Sequence, residues 1–255
     1  MILLFPYRTD APVYHVPVGT IGLIIINVIA FVAMFGASEE GFESSILQYG
    51  EGLKPLQWVT SNFVHGGFWH LAGNMVALWT FGFLVEGKVG PLVFVPLYLG
   101  MGFVQCGLEQ AVMSHAGHGG SFGASAILFG LMAISLVWSP RNDVGVAGIL
   151  FFRPVSFDAP VVVFTLVMFG WEALQAWIVG FSTSTAILHM SGAVIGLLVG
   201  IAFVKLHWVD CEGWDIFAVM TGTVGEKTER KTKKKKKKKK KPVEEAQPKR
   251  KWPPE

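Results

Sequence analysis

The chain has 255 residues, is 52% hydrophobic and only 15% charged, and has a mean hydropathy of +0.49. A soluble domain carries nearer a quarter charged residues, so this composition excludes an ordinary soluble enzyme and points to a membrane body. The net charge of +3 hides a division: 15 of the 21 basic residues fall after residue 225 against 5 acidic ones, so the body is acidic and the tail strongly basic.

In chain order, residues 1–17 form an N-terminal segment without the charged-then-apolar order of a cleavable signal peptide. A membrane-spanning helix needs about 20 apolar residues. Six stretches meet that need: Val18–Ala37, Phe68–Leu84, Leu92–Met113, Phe122–Trp138, Val161–Val179 and Thr185–Val204. Residues 18–205 are therefore expected to form an all-α six-helix membrane domain. Between the first two spans, Pro55–Gly67 carries Trp58 and Phe63, residues suited to an interface. Residues 206–255 form a tail whose run Lys233–Lys241 is nine lysines long; it is expected to be disordered and drawn to anionic lipid headgroups, with no specific nucleic-acid partner. Cys106 and Cys211 fall near opposite faces and are not expected to pair.

Orientation follows from basic residues near span ends. Arg8, Lys88, Arg141, Arg153, Lys205 and the lysine tail collect on one side, while Lys54 stands alone on the other beside Glu39, Glu40, Glu43 and Glu51. That predicts both termini inside, with spans two, four and six starting at the outer face.

Polar groups inside hydrocarbon are costly and therefore functional suspects. His70 and Asn74, four apart, share a face at the start of span two; Ser125 opens span four and His189 lies early in span six. All four fall within about two helical turns of the outer mouth. A serine hydroxyl needs a base to take its proton, and His189 is the best-placed one. The Ser125 N–H, the His70 ring and the Asn74 amide are candidate donors to an oxyanion. No intramembrane Asp completes a Ser-His-Asp set, so a dyad is expected. Phe129, one turn after Ser125, could pack under the imidazole, and Gly192, Gly196 and Gly200 form a ridge for close helix packing. Small residues around a serine also serve helix packing alone, and it is the shared depth of three distant segments that favours chemistry.

These pieces are Phe63-Val64-His65, His70-Leu71-Ala72-Gly73-Asn74-Met75, Phe81-Gly82 with Glu86, Gly123-Ala124-Ser125-Ala126, and His189-Met190-Ser191-Gly192-Ala193-Val194-Ile195-Gly196. Together and in this order they resemble the rhomboid intramembrane serine proteases. The resemblance covers about residues 16–205 and implies Ser125 as nucleophile, His189 as base, His70 and Asn74 at the oxyanion site, and Gly123, Phe129 and His65 in support. It implies peptide hydrolysis in transmembrane protein substrates, which enter sideways between helices, and no cofactor. Ala126 stands where the family often has glycine, Phe129 where it often has tyrosine, and Gln57-Trp58 where it usually has a Trp-Arg pair.

His65, His115 and His118 are not expected to hold a metal, because no H-E-x-x-H or acidic partner accompanies them. Glu172, in span five, should face the cavity or protein, either at a substrate gate or in a hydrogen-bonded structural role; Glu109 is expected at the interface. The other readings are an inactive relative that binds transmembrane clients, against which Ser125 and His189 together argue, and a small proton-relaying transporter, which would carry inverted repeats and broken helices. The lack of a transit segment and the compact body suggest a bacterial inner membrane.

Overall fold

A computed structural model describes residues 2–115, 119–150, 152–179 and 185–225. The elements in order are β1 (Ile2–Thr9), α1 (Val18–Met34), α2 (Glu39–Ser45), β2 (Leu47–Gln48), α3 (Gln57–Thr60), α4 (Phe68–Ala77), one π-helical turn (Leu78–Gly82), α5 (Phe83–Val89), α6 (Pro91–Val112), β3 (Gly120–Ser121), α7 (Ser125–Trp138), β4 (Asp143–Leu150), β5 (Arg153–Pro160), α8 (Val161–Val179), α9 (Thr185–Lys205) and α10 (Ile216–Thr221). The fold is mostly helical. Among the described residues, four helical runs are long and apolar enough to cross a membrane: Phe68–Val89, Pro91–Val112, Val161–Ile178 and Thr185–Lys205.

The other two predicted spans are shorter, α1 with 17 residues and α7 with 14. At about 1.5 Å per residue α7 is about 21 Å long, well short of a hydrocarbon core of about 30 Å. Its surroundings explain how so short a helix is used: every residue from Ala126 to Trp138 is buried. Protein rather than lipid surrounds α7, so it need not match the bilayer.

The tightest packing is between α7 and α9. A Cβ added to Gly192 would lie 1.9 Å from the Ala126 carbonyl oxygen, and one on Gly196 would lie 2.1 Å from that of Gly130. Only glycine lets the two backbones meet so closely. One turn on, the Trp138 indole donates to the Gly200 carbonyl at 3.0 Å and closes the seam.

A second anchor is Glu86, fully buried in the first turn of α5. The first helix begins after Pro17, which offers no side-chain cap. Glu86 supplies the cap instead, accepting from the backbone N–H groups of Gly19 (2.7 Å) and Thr20 (2.6 Å) and from the Thr20 hydroxyl (2.6 Å). A carboxylate at a helix N-terminus satisfies otherwise unpaired donors and opposes the positive end of the helix dipole.

Two expectations are corrected. The domain is not all-α: β1, β4 and β5 form an antiparallel sheet in the order β1-β4-β5. Its register runs from Ile2↔Leu150 to Thr9↔Val144, broken between Pro6 and Arg8 where Tyr7 is the extra residue. The strands arise because Val144, Val146 and Val155 are β-branched and suit a pleated surface. β1 and β4 are separated in sequence by seven helices, α1 to α7, so no local turn signal joins them. The Arg8 side chain crosses the strand between them over Gly145 to reach Asp158 at 2.8 and 2.9 Å. The Thr80 hydroxyl donates to the Pro6 carbonyl at 2.9 Å, which holds β1 along the second helical run.

Second, residues 206–225 fold onto the body. Asp215 caps α10 by accepting from Phe217 and Ala218 N–H, and the Lys205 ammonium sits 4.0 Å from the Phe217 ring centre. The lysine run Lys233–Lys241 lies outside the described residues.

Candidate active site

Ser125 is the first residue of α7, and its position is set by the turn before it. Gly123 has φ +114°, a conformation that favours glycine, and its N–H donates to the Ser61 carbonyl at 2.9 Å. Leu128 N–H is the first to reach back into the helix, to the Ala124 carbonyl. The N–H groups of Ser125, Ala126 and Ile127 therefore stand at the positive end of the helix dipole with no intrahelical partner. Ala126, in the place where glycine is frequent, is buried opposite Gly192, whose missing side chain leaves the room.

The α7–α9 seam brings His189 to this point. Its Nε2 is 2.8 Å from Ser125 Oγ. The imidazole lies flat on Phe129, with centroids 4.4 Å apart and planes 11° apart, and Phe129 stacks in turn on Phe169 of α8 at 5.8 Å. Two aromatic layers thus fix the plane of the histidine. The other ring nitrogen, Nδ1, is 3.1 Å from Glu172 Oε1, an ion-pair distance at which the ring N–H is not aligned for a hydrogen bond.

On the facing helix, His70 Nδ1 accepts from the Gly66 N–H at 3.4 Å, which leaves Nε2 as the protonated, donating nitrogen. That nitrogen points at Gly123: a Cβ placed there would be 2.9 Å from it and 3.8 Å from the Asn74 amide nitrogen. The Asn74 amide also donates to His65 Nε2 at 2.9 Å, and the His65 Nδ1–H in turn donates to the Phe63 carbonyl at 3.2 Å. His65 is a buried support that orients Asn74. Among the described residues, Ser125, His189, His70, Asn74, Gly123 and Glu172 all line one cavity of about 1150 Å³, whose wall also includes Phe5 and Pro6 of β1.

His65 gives this site a pH dependence. Burial, with neighbouring His70 adding to it and the Phe63 carbonyl opposing, pushes its imidazole down from 6.5 to about 4. Between those values the unfolded chain binds a proton that the folded chain refuses. Stability is therefore expected to be intact above about pH 6.5 and to fall toward pH 4, by on the order of 3 kcal/mol. Thermal unfolding in detergent should show this acid loss in wild type and a shallower one in His65→Gln. Equal slopes would refute it.

Sequence reasoning placed Ser125, His189, His70 and Asn74 at one depth, and here they meet. It left Glu172 open between a gate and a structural role; the signal was an acidic residue inside an apolar span, which needs a partner. Glu109, expected at the interface, is buried and accepts from Tyr49, Ser121 and the Gln105 amide, the last at 2.8 Å. Trp58 is anchored without an arginine, its indole donating to Gln110 at 2.7 Å. His118 lies outside the described residues, and among those described no group of three His, Cys, Asp or Glu residues is placed to hold a metal.

The sequence model of the Rhomboid domain matches residues 53–206, a stretch that holds every residue of the candidate site. The chain is 30% identical over 145 residues to Rhomboid protein 1, mitochondrial, of Saccharomyces cerevisiae, which covers 56% of this chain and 40% of that protein. It is 28% identical over 187 residues to Rhomboid-like protein 11, chloroplastic, of Arabidopsis thaliana, covering 71% and 63% respectively. It is 27% identical over 143 residues to Presenilin-associated rhomboid-like protein A, mitochondrial, of Danio rerio, covering 56% and 36%. The match thus spans less than two thirds of each relative's length. With the Rhomboid domain covering more than half of it, and with its long apolar helices, this chain belongs to the rhomboid family of integral membrane proteins.

Proposed function

We propose that the protein is an intramembrane serine endopeptidase that cuts transmembrane protein substrates through Ser125 and His189. The observation that carries this reading is the 2.8 Å contact between His189 Nε2 and Ser125 Oγ, with the ring held on Phe129. In this mechanism Ser125 Oγ attacks the scissile carbonyl while His189 Nε2 takes its proton. The oxyanion receives hydrogen bonds from the Ser125 N–H and from His70 Nε2–H and the Asn74 amide, the two side-chain donors that converge about Gly123. His189 then passes the proton to the leaving amine, and water hydrolyses the acyl-enzyme with His189 as base again. No cofactor enters the scheme.

The charge distribution supports a six-helix body with both termini inside and the serine reached from the outer side. The substrate enters sideways and unwinds before its backbone reaches Ser125. The lysine tail contributes attraction to anionic headgroups on the inner side. The bacterial inner membrane suggested by the sequence gains no support from relatives named as mitochondrial and chloroplastic, so the compartment forms no part of this proposal.

The test offers a transmembrane substrate to the purified protein in detergent, with Ser125→Ala and His189→Ala alongside. Wild type is expected to cleave, and both variants to lose at least about 10³-fold in rate. Equal cleavage by all three sinks the reading. A wild type that retains the substrate without cutting it would favour a client-binding relative instead.

A further inference from the structure

We propose that Glu172 is a positioning residue for His189, so that the reacting unit is a serine, histidine and glutamate set rather than a dyad. The inference rests on the protease reading above and deepens it. Its basis is the 3.1 Å approach of Glu172 Oε1 to His189 Nδ1, with both side chains largely buried, at 12% and 14% exposed. Among the described residues Glu172 makes no hydrogen bond, and its ionic contact is with His189.

The sequence of α8 explains why the contact is organised. Phe169 and Glu172 are three apart and so lie on one helical face. The first stacks on Phe129, which underlies the imidazole, and the second meets its edge. One face of α8 thereby sets both the plane and the rotation of the ring. The chemistry needs both. Nε2 must hold a lone pair to accept the Ser125 proton, so Nδ1 must carry the hydrogen. A carboxylate at Nδ1 selects that tautomer and stabilises the imidazolium formed as the serine attacks. The hydrogen bond requires the carboxylate, 3.1 Å away, to turn into line with the N–H. No proton is transferred to Glu172, and none is lost from the cycle.

Among the described residues, few titratable groups face His189. Glu172 comes from α8 and His70 from α4, with His65 behind His70 in edge contact at 5.0 Å. α7 contributes Ser125 and Phe129, and Glu109 of α6 is engaged by Tyr49, Ser121 and Gln105. Lys205 is at the opposite end of α9 and sits on Phe217. Glu172 is thus the carboxylate that can set the ring's acid limb.

The experiment measures the rate of labelling by a small fluorophosphonate from pH 5 to 9 in detergent. Such a probe needs an activated serine but no gate for a transmembrane substrate. Glu172→Gln is expected to slow labelling about 10- to 100-fold at neutral pH and to move the acid limb to lower pH, because the imidazolium has lost its counter-charge. Glu172→Asp should fall between Gln and wild type. A gate or packing role would slow cleavage of a transmembrane substrate while leaving the labelling rate and its acid limb unmoved, and that result overturns the inference alone. A wild type that does not label, or a Ser125→Ala that does, overturns the protease reading and this one with it. A further measurement needs no Glu172 variant: ¹⁵N spectra of His189 in Ser125→Ala at neutral pH. The Nδ1–H tautomer is the expected result, and a predominantly Nε2–H ring refutes the proposal.

Discussion

Gly192→Ala and Gly196→Ala are each expected to reduce substrate cleavage at least about 100-fold and to lower thermal stability by about 1–3 kcal/mol or more. The reason is that the obstacle is backbone. The new methyl carbon would stand 1.9 Å from the Ala126 carbonyl oxygen in one case and 2.1 Å from that of Gly130 in the other. A flexible side chain can turn aside, but a carbonyl in a helix can move only with its helix. Relief to van der Waals distance requires α7 and α9 to separate by more than 1 Å on the order of the overlap. The 2.8 Å contact between His189 and Ser125 spans this same seam, one turn from Gly192, and does not survive such a displacement. Two substitutions calibrate the effect. Gly200→Ala meets Ile134 Cα at 3.2 Å and should be mild, whereas Gly170→Ala meets nothing within 4 Å and should leave activity intact. Cleavage rates and thermal aggregation in detergent, measured across the four variants, test the ordering. A Gly192→Ala protein as active as Gly170→Ala would show that the seam does not set the site.

That seam also shows what the amino-acid order reveals and what it conceals. The spacing of Gly192, Gly196 and Gly200 is a repeat of four and announces a close-packing face directly. The shared depth of His70, Asn74, Ser125 and His189 follows from span boundaries alone, because each lies within a turn or two of a helix start. Glu172 was harder. Its helix position gives it a face but not a partner, and the partner lies across a helix pair whose rotation only packing determines. The sheet was hidden for a different reason. β1 and β4 are far apart in sequence, and Asp143–Leu150, with two glycines among its valines, lacks strict polar alternation. A strand whose pairing is long-range leaves only a weak local mark. The surroundings of α7 were hidden as well: apolarity over Phe122–Trp138 does not tell whether lipid or protein covers the helix, and every residue from Ala126 to Trp138 is buried.

Gly123 is where backbone conformation and chemistry meet, and Gly123→Ala is expected to lower kcat by about 10²- to 10³-fold with little change in KM. Two separate penalties act on it. At φ +114° an alanine is strained, a cost of about 1–3 kcal/mol that the turn can relieve only by rotating. Rotation would turn the Gly123 N–H from the Ser61 carbonyl and shift the first N–H groups of α7, including that of Ser125. If the turn holds instead, the methyl lies 2.9 Å from His70 Nε2 and 3.8 Å from the Asn74 amide nitrogen, in the space those donors share. Either way the oxyanion loses donors while the cavity that binds the substrate keeps its walls. Loss in the transition state alone appears in kcat rather than in KM. His70→Ala and Asn74→Ala should each cost about 10²-fold in the same sense, and Asn74→Ala should also release His65, which has no other side-chain partner for its Nε2 among the described residues. The decisive comparison is kcat and KM for the three variants on one transmembrane substrate. A Gly123→Ala enzyme with normal kcat and raised KM would place this turn in substrate binding and remove it from the oxyanion site.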